Sequence, residues 1–266
     1  MVILHELTAG PGYCLDRLTA GELAFVRGRV TAQYLGRLAQ LQPELVEPAA
    51  EVGIAHYHTL PIRFDHTPSW PKASRLLHPK HVADFATMGF FRRIRRQLGP
   101  KAVISHDELN WRLVRPGRPE DVGPIHLDKW FWDAGYGAMP DGYDRFKIWV
   151  ALYTEPGANG LSVKPDSHRR PDWRHHFEVR DGVRKPVLDE DPDALGLELL
   201  HLEAGQMVMF HDELLHGGVV NRGTTCRVSI ELTVLFPHDE GFARVARLLR
   251  RGQAAPGLAA APGTEG

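Results

Sequence analysis

Between residues 19 and 41, the apolar positions Leu23, Val26, Val30, Tyr34, Leu38 and Leu41 return every three or four residues. That spacing predicts a long amphipathic helix. Thr19, with Glu22 three residues on, has the form of a capping box at its start, and Pro43 ends it. A second helix is predicted over residues 81–98, where Val82, Phe85, Met88, Phe91 and Ile94 share a face and Gly99-Pro100 stops the run. The stretch between them, containing Pro and His, reads as irregular with short strands. After Pro100 the period shortens towards two. Residues 109–114 alternate as a half-buried strand does, 124–128 read as another, and 146–153 form a stronger apolar strand before a turn at Asn159-Gly160. Shorter strands are predicted at 197–202, 206–210, 217–220 and 227–236, punctuated by Gly205, Gly217-Gly218 and Asn221 to Gly223.

Helices first and evenly spaced short strands later predict a mainly β fold, a sandwich or jelly roll, with the helices buttressing one sheet. Residues 1–252 read as one domain, its helical part over about 1–100 and its β core over about 104–236. Within it, 240–252 read as a basic amphipathic helix, and 253–266, rich in Ala, Pro and Gly, as a disordered tail. The strings Ser105-His106-Asp107-Glu108-Leu109 and Phe210-His211-Asp212-Glu213-Leu214 echo one another but are too short to be a structural repeat. Residues 52–75 and 169–196 read as irregular segments that would line a substrate pocket.

Composition narrows the class. The chain has 266 residues, 43% hydrophobic and 24% charged, with a formal net charge of −1. Nothing in that balance suits a polyanion, so nucleic acid is not an expected partner. Two distant cysteines, Cys14 and Cys226, imply no disulfide framework and read as free thiols. No signal peptide or bilayer-length apolar run is evident, so the reading is a soluble, cytoplasmic protein with no membrane partner; oligomeric state stays open. The 15 histidines are the outlier. Some, as in Arg174-His175-His176, read as surface residues.

The chemistry starts at His126-Leu127-Asp128. In a strand, residues two apart point to one face, so His126 and Asp128 can share an ion. A distant second histidine would complete two imidazoles and a carboxylate on one face of an octahedron, a set suited to non-haem Fe(II). His216 follows an apolar strand and precedes Gly217-Gly218, which leave room beside it; His211 competes for the same role. Eleven residues past His216 comes Arg227, and Ser229 shares its face. A guanidinium with a nearby hydroxyl suits the far carboxylate of a dicarboxylate, whereas the plainer alternative pairs Arg227 with an acid such as Glu231.

These residues resemble the phytanoyl-CoA dioxygenase-like branch of the Fe(II)/2-oxoglutarate-dependent dioxygenases. The matching pieces are His126-x-Asp128, Trp149-Val150-Ala151-Leu152, Asn159-Gly160-Leu161 running to Pro165-Asp166-Ser167-His168, and His216 with Arg227, over roughly residues 104–236. The resemblance implies a double-stranded β-helix, the cupin-like jelly roll. It implies iron held by His126, Asp128 and His216, and 2-oxoglutarate held by Arg227 with Ser229; Trp149, Asn110 and Arg112 are further candidates for that pocket. Lys129, Trp130, Ser167 and His168 are candidate substrate residues. Lys129, with Arg169 and Arg170, hints at a polar or anionic substrate. The family pattern has Gly where this chain has Asp166, and aspartate also tolerates turn conformations.

The implied reaction couples O2 and oxidative decarboxylation of 2-oxoglutarate to hydroxylation of an unactivated C–H bond in a small, polar organic substrate. Retention of Asp128 favours hydroxylation over halogenation. Two rivals lack that chemistry, and the first of them keeps the jelly roll. One is a cupin-like zinc or nickel metalloenzyme; the other is a non-catalytic carbohydrate-binding β-sandwich.

Overall fold

Two elements precede the first predicted helix, α1 (Val2–Thr8) and β1 (Tyr13–Arg17). The computed structural model describes residues 2–106, 108–137, 139–170, 172–180, 183–238 and 242. The first long helix is α2 (Ala20–Leu41). Thr19 caps it, the Glu22 carboxylate returns to the Thr19 N–H, and Val26, Val30, Tyr34 and Leu38 are buried. Where short strands were expected between the two helices, the chain instead forms α3 (Val46–Val52), α4 (His66–Ser69), α5 (Lys72–Arg75) and 3-10 turns.

The second predicted helix is two helices, α6 (Pro79–Thr87) and α7 (Gly89–Leu98), separated at Met88 with φ −68° and ψ 154°. The physical reason is burial. Phe85 and Phe90 are both fully buried, but five residues apart on one continuous helix they would diverge by about 140°. The Glu22 carboxylate accepts from the Phe90 N–H at 2.9 Å, so α2 satisfies a first-turn donor of α7.

The strands and the last helix follow in the order β2 (Val103–Ile104), β3 (Asn110–Val114), α8 (Asp128–Asp133), β4 (Tyr143–Tyr153), β5 (Leu161–Val163), β6 (His175–Arg180), β7 (Val183–Leu188), β8 (Glu198–Leu199), β9 (Gln206–His211), β10 (His216–Gly218) and β11 (Arg227–Pro237). The major sheet runs β1-β9-β4-β11-β2, with β3 also paired to β11; β10-β5-β8 form the facing minor sheet. All these pairings are antiparallel. The fold is the expected jelly roll with flanking helices.

Four local expectations fail. β1 had no alternation to betray it; its backbone pairing with β9 makes it a strand. β3 is buried on both faces apart from Arg112: Trp111 and Leu113 join the core under the helices, and Asn110 and Val114 on the other face are buried as well. Residues 169–196 contain the hairpin β6–β7, and the predicted strand at 124–128 gives way to an isolated bridge and α8. The predicted helix over 240–252, apart from residue 242, and the predicted tail over 253–266 lie outside the described residues.

Strand alternation assigns the two faces of the major sheet. Phe146, Ile148, Val150 and Leu152 of β4, Met207 and Met209 of β9, and Val228, Ile230, Leu232 and Val234 of β11 pack under the helices. The opposite face meets the minor sheet. There Trp149, Ala151, Val208 and Phe210 pack with Leu161 and Val163, while Arg112, Lys147, Arg227, Ser229, Glu231 and Thr233 make the remainder polar. Cys14 and Cys226 are free thiols. Among the described residues, no helix is long and apolar enough to cross a membrane.

Candidate metal centre

His126 and His216 face one another across a single antiparallel bridge. The His126 N–H donates to the His216 carbonyl at 3.0 Å, and the reverse bond is 3.1 Å. Asp128 is the first residue of α8. The convergence of His126 and Asp128 therefore comes from a bridge followed by a helix start, not from alternation along one strand. Each imidazole is oriented by its own backbone. His126 Nδ1 lies 2.8 Å from the Pro124 carbonyl, and His216 Nδ1 lies 2.8 Å from the Leu214 carbonyl. A carbonyl only accepts, so both Nδ1 atoms carry hydrogen and both Nε2 lone pairs are left for an ion.

Those Nε2 atoms each lie 3.7 Å from an oxygen of Asp128, too far for a hydrogen bond. The three ligand atoms lie within 4.8 Å of one another. Asp128 Oδ2 is buried with no hydrogen-bond partner. Two imidazoles that present Nε2 and an orphaned carboxylate oxygen fit a divalent transition metal, and iron in particular. Burial pushes His216 down to about 4, which keeps it in the form that ligates. Burial opposes ionisation of Asp128, but Lys147 and then the two imidazoles hold its carboxyl below the usual carboxylate range. His211 stands elsewhere. It stacks on Phe242, and its Nδ1 accepts from the Glu213 N–H.

Gly217 and Gly218 do leave room, but the chain fills it. A Cβ on Gly217 would meet Ile125 Cδ1 at 2.6 Å, and one on Gly218 would meet an Arg227 guanidinium nitrogen at 3.2 Å. Arg227 is 3% exposed and donates to the Gly160 carbonyl at 2.8 Å. Its Nε and the Ser229 hydroxyl are buried without partners. The plainer pairing with Glu231 does not form; Glu231 takes Arg112 instead, at 2.9 Å. Burial, then Arg112, push Arg227 down to about 10, so it stays charged. Trp149 is buried, with its ring 5.7 Å from the Arg227 guanidinium carbon. Asn110 is buried, its amide donating to the Glu108 carbonyl. In register, Glu231 of β11 stands between Asn110 of β3 and Trp149 of β4.

The candidate substrate residues are occupied otherwise. The Lys129 amine pairs with Asp133 at 2.8 Å. Trp130 stacks on His175 inside a cluster with Leu127, Trp173, Leu188 and Leu215, so His175 is a packing residue rather than a surface one. The Ser167 hydroxyl accepts from the Leu215 N–H at 2.8 Å, next to His216, and His168 Nε2 meets the Thr8 carbonyl. Arg169 pairs with Asp166, and Arg170 with Asp172 and Glu190. Asp166 adopts φ 64°, the left-handed turn that a glycine would take. The loop therefore keeps its shape.

A buried ionic group escaped the sequence reading. Lys147, 7% exposed, lies 3.3 Å from Glu108 Oε2. Glu108 also accepts from Trp132 Nε1 at 2.9 Å and from the Thr233 hydroxyl. Burial works against the Lys147 charge, but Glu108, then Asp128 and Glu231, hold it protonated. The available signal was a lysine between Phe146 and Ile148 in an otherwise apolar strand.

A family profile described as phytanoyl-CoA dioxygenase (PhyH) matches residues 37–229. No curated protein sequence matches the chain. Among solved structures, EvdO2 from Micromonospora carbonacea var. aurantiaca complexed with 2-oxoglutarate is 18% identical, with a TM-score of 0.54 over 88% of this chain and 89% of that one. Another EvdO2 structure is 19% identical, with a TM-score of 0.53 over 88% and 90%. EctD from S. alaskensis, in its apoform, is 23% identical, with a TM-score of 0.43 over 84% and 72%.

Proposed function

The chain belongs to the phytanoyl-CoA dioxygenase family, and on that premise we propose that it is an Fe(II)- and 2-oxoglutarate-dependent oxygenase that hydroxylates an unactivated C–H bond of a small organic molecule. His126, Asp128 and His216 are the metal ligands in this reading. Arg227 and Ser229 bind the far carboxylate of 2-oxoglutarate.

One observation carries it. The buried polar atoms without a hydrogen-bond partner include two groups on the polar side of the barrel: Asp128 Oδ2, and Arg227 Nε with the Ser229 hydroxyl. Leaving such atoms unpaired costs about 1–3 kcal/mol each, more when charged. A metal ion satisfies the first group and a dicarboxylate the second. A zinc hydrolase explains only the first, and a carbohydrate-binding sandwich explains neither.

Iron, when bound, supplies dioxygen activation coupled to oxidative decarboxylation of 2-oxoglutarate, giving succinate, carbon dioxide and a hydroxylated product. The chain's own part is placement. The Pro124 and Leu214 carbonyls fix the imidazole tautomers. The Gly160 carbonyl and the Trp149 ring orient the Arg227 guanidinium towards a planar carboxylate. Trp149 and Phe210, both buried, keep water from the cosubstrate's side of the barrel. Asp128 occupies the position a halide would need, which favours hydroxylation.

Release of labelled carbon dioxide from 1-carbon-labelled 2-oxoglutarate tests the reading. Fe(II)-dependent release with matching succinate is expected. A protein that retains zinc and neither binds nor consumes the keto acid contradicts it.

A further inference from the structure

Each imidazole of the metal centre is fixed by a carbonyl two residues before it, but Asp128 has no such support. Its Oδ2 lacks a hydrogen-bond partner, and it is the first residue of the six-residue helix α8. Where α8 lies therefore decides where that carboxylate lies. A helix so short does not hold itself together, since isolated helices below about 12–15 residues are marginal in water. Leu127, at the cap position, supplies no side-chain bond to the first turn. The placement of α8 must come from outside it.

Two fastenings supply it. At the start, the Lys129 N–H donates to the carbonyl of Asp212, just past the end of β9, at 3.1 Å. At the other end, the Trp132 indole N–H donates to Glu108 Oε1 at 2.9 Å. Glu108 is itself held by Lys147 of β4, at 3.3 Å, and by the Thr233 hydroxyl of β11. The second fastening therefore leads into the major sheet.

A single guanidinium joins the two fastenings. Arg145 of β4 lies over the Trp132 ring, its Cζ 3.4 Å from the ring centre, and its Nε donates to Asp212 Oδ2 at 3.1 Å. Lys147, two residues along the same strand and on the same face, stands 5.8 Å from that ring. A cation within about 6 Å of an aromatic face is attracted to it. Gly137 then passes close over the indole bond. Its φ is 88°, and a Cβ there would meet Glu108 Oε1 at 2.5 Å and Trp132 Nε1 at 3.0 Å.

We propose that Trp132 and Arg145 are positioning residues for Asp128: the clamped indole sets the helix, and the helix sets the carboxylate that faces the metal. This rests on the metal site proposed above. Both residues act through the backbone of α8, not by contact with the ion. The buried Glu108–Lys147 pair gains a role as the footing of the clamp. Groups that orient a metal ligand from behind are worth about 10–100-fold in metal affinity. A functional side chain must be held within about 0.5 Å of its working position, so a loosened α8 should be felt at the ion.

The test is titration of the full chain with Co(II), whose d–d absorption reports the number and geometry of its ligands. Trp132→Phe keeps a ring for Arg145 and loses the N–H. Arg145→Met loses both the stack and the Asp212 pair. In each variant Co(II) is expected to bind about tenfold to a hundredfold more weakly than in wild type, and the spectrum at saturation is expected to shift. Hydrogen exchange of the metal-free protein over residues 128–134 is expected to quicken about tenfold in both. Weaker binding with an unaltered saturated spectrum marks a merely looser fold and overturns the proposal. Wild-type affinity, or wild-type exchange over α8, in Trp132→Phe overturns it too. If Arg145→Met does not fold, Trp132→Phe carries the test alone. Wild-type protein that takes up no Co(II) overturns the metal site instead, and the exchange measurement still decides whether the clamp holds α8.

Discussion

On one side of β11, Val228, Ile230, Leu232 and Val234 press against the helices. On the other, offset by one residue each time, Arg227, Ser229, Glu231 and Thr233 line the space between the sheets. Arg227, Ser229 and Thr233 are as deeply buried as the apolar row, at 3%, 0% and 1% exposed. Depth alone therefore does not decide what a position holds. The apolar row is satisfied by its neighbours, whereas Arg227 Nε and the Ser229 hydroxyl are not. A fold tolerates unpaired buried donors where an arriving ligand completes them. The first face explains why the sheet is stable, and the second explains what it is for.

Substitutions on the two faces should separate these roles. Ile230→Ala, on the apolar face, is expected to cost about 2–5 kcal/mol of stability in chemical denaturation, with the 2-oxoglutarate requirement unchanged. A raised requirement would join what the comparison separates. Arg227→Met should do the reverse. The 2-oxoglutarate concentration for half-maximal decarboxylation should rise about tenfold to a hundredfold, as for a lost charge-assisted bond of about 1.5–3 kcal/mol. Its melting temperature should change little, because the unpaired Nε is removed but the Gly160 carbonyl loses its donor. Ser229→Ala repeats that pattern at smaller scale. It should weaken 2-oxoglutarate about threefold to tenfold, for a neutral hydrogen bond of about 0.5–1.5 kcal/mol, with no loss of stability.

The smallest effect is a pH dependence of the metal-free protein. Folding lowers His216 from 6.5 to about 4, so the folded state resists its protonation. That stability is present in full above the unfolded pKa and is lost as pH falls from 6.5 towards 4. Between pH 7 and pH 6 the loss should be less than about 1 kcal/mol. Denaturation curves of wild type and His216→Gln check it, since the variant should lack this share of the slope.

The strand faces were legible because alternation is a local property, and Arg227 and Ser229 could be placed together from it. The pair His126 and Asp128 was found with the wrong local geometry. Its spacing fits a strand, but the backbone pairing of His126 with His216 and the start of α8 bring the groups together. The break at Met88 was hidden because a helical period continues through it. Only contacts with Glu22 and the buried position of Phe90 reveal it. β1 and the hairpin β6–β7 owe their form to backbone pairing more than to periodicity. Glu108 and Lys147 meet across 39 residues of chain, and nothing local to either predicts that contact.

Convergence of three side chains on one iron beside a keto-acid pocket is tested most directly by adding Fe(II) and then 2-oxoglutarate to the protein under anaerobic conditions and recording the visible spectrum. The structure predicts a metal-to-ligand charge-transfer band that forms in wild type and needs more 2-oxoglutarate in Arg227→Met. In Asp128→Ala the band should be weakened or lost. No band in wild type with iron bound, or an unaltered band in Asp128→Ala, would contradict it.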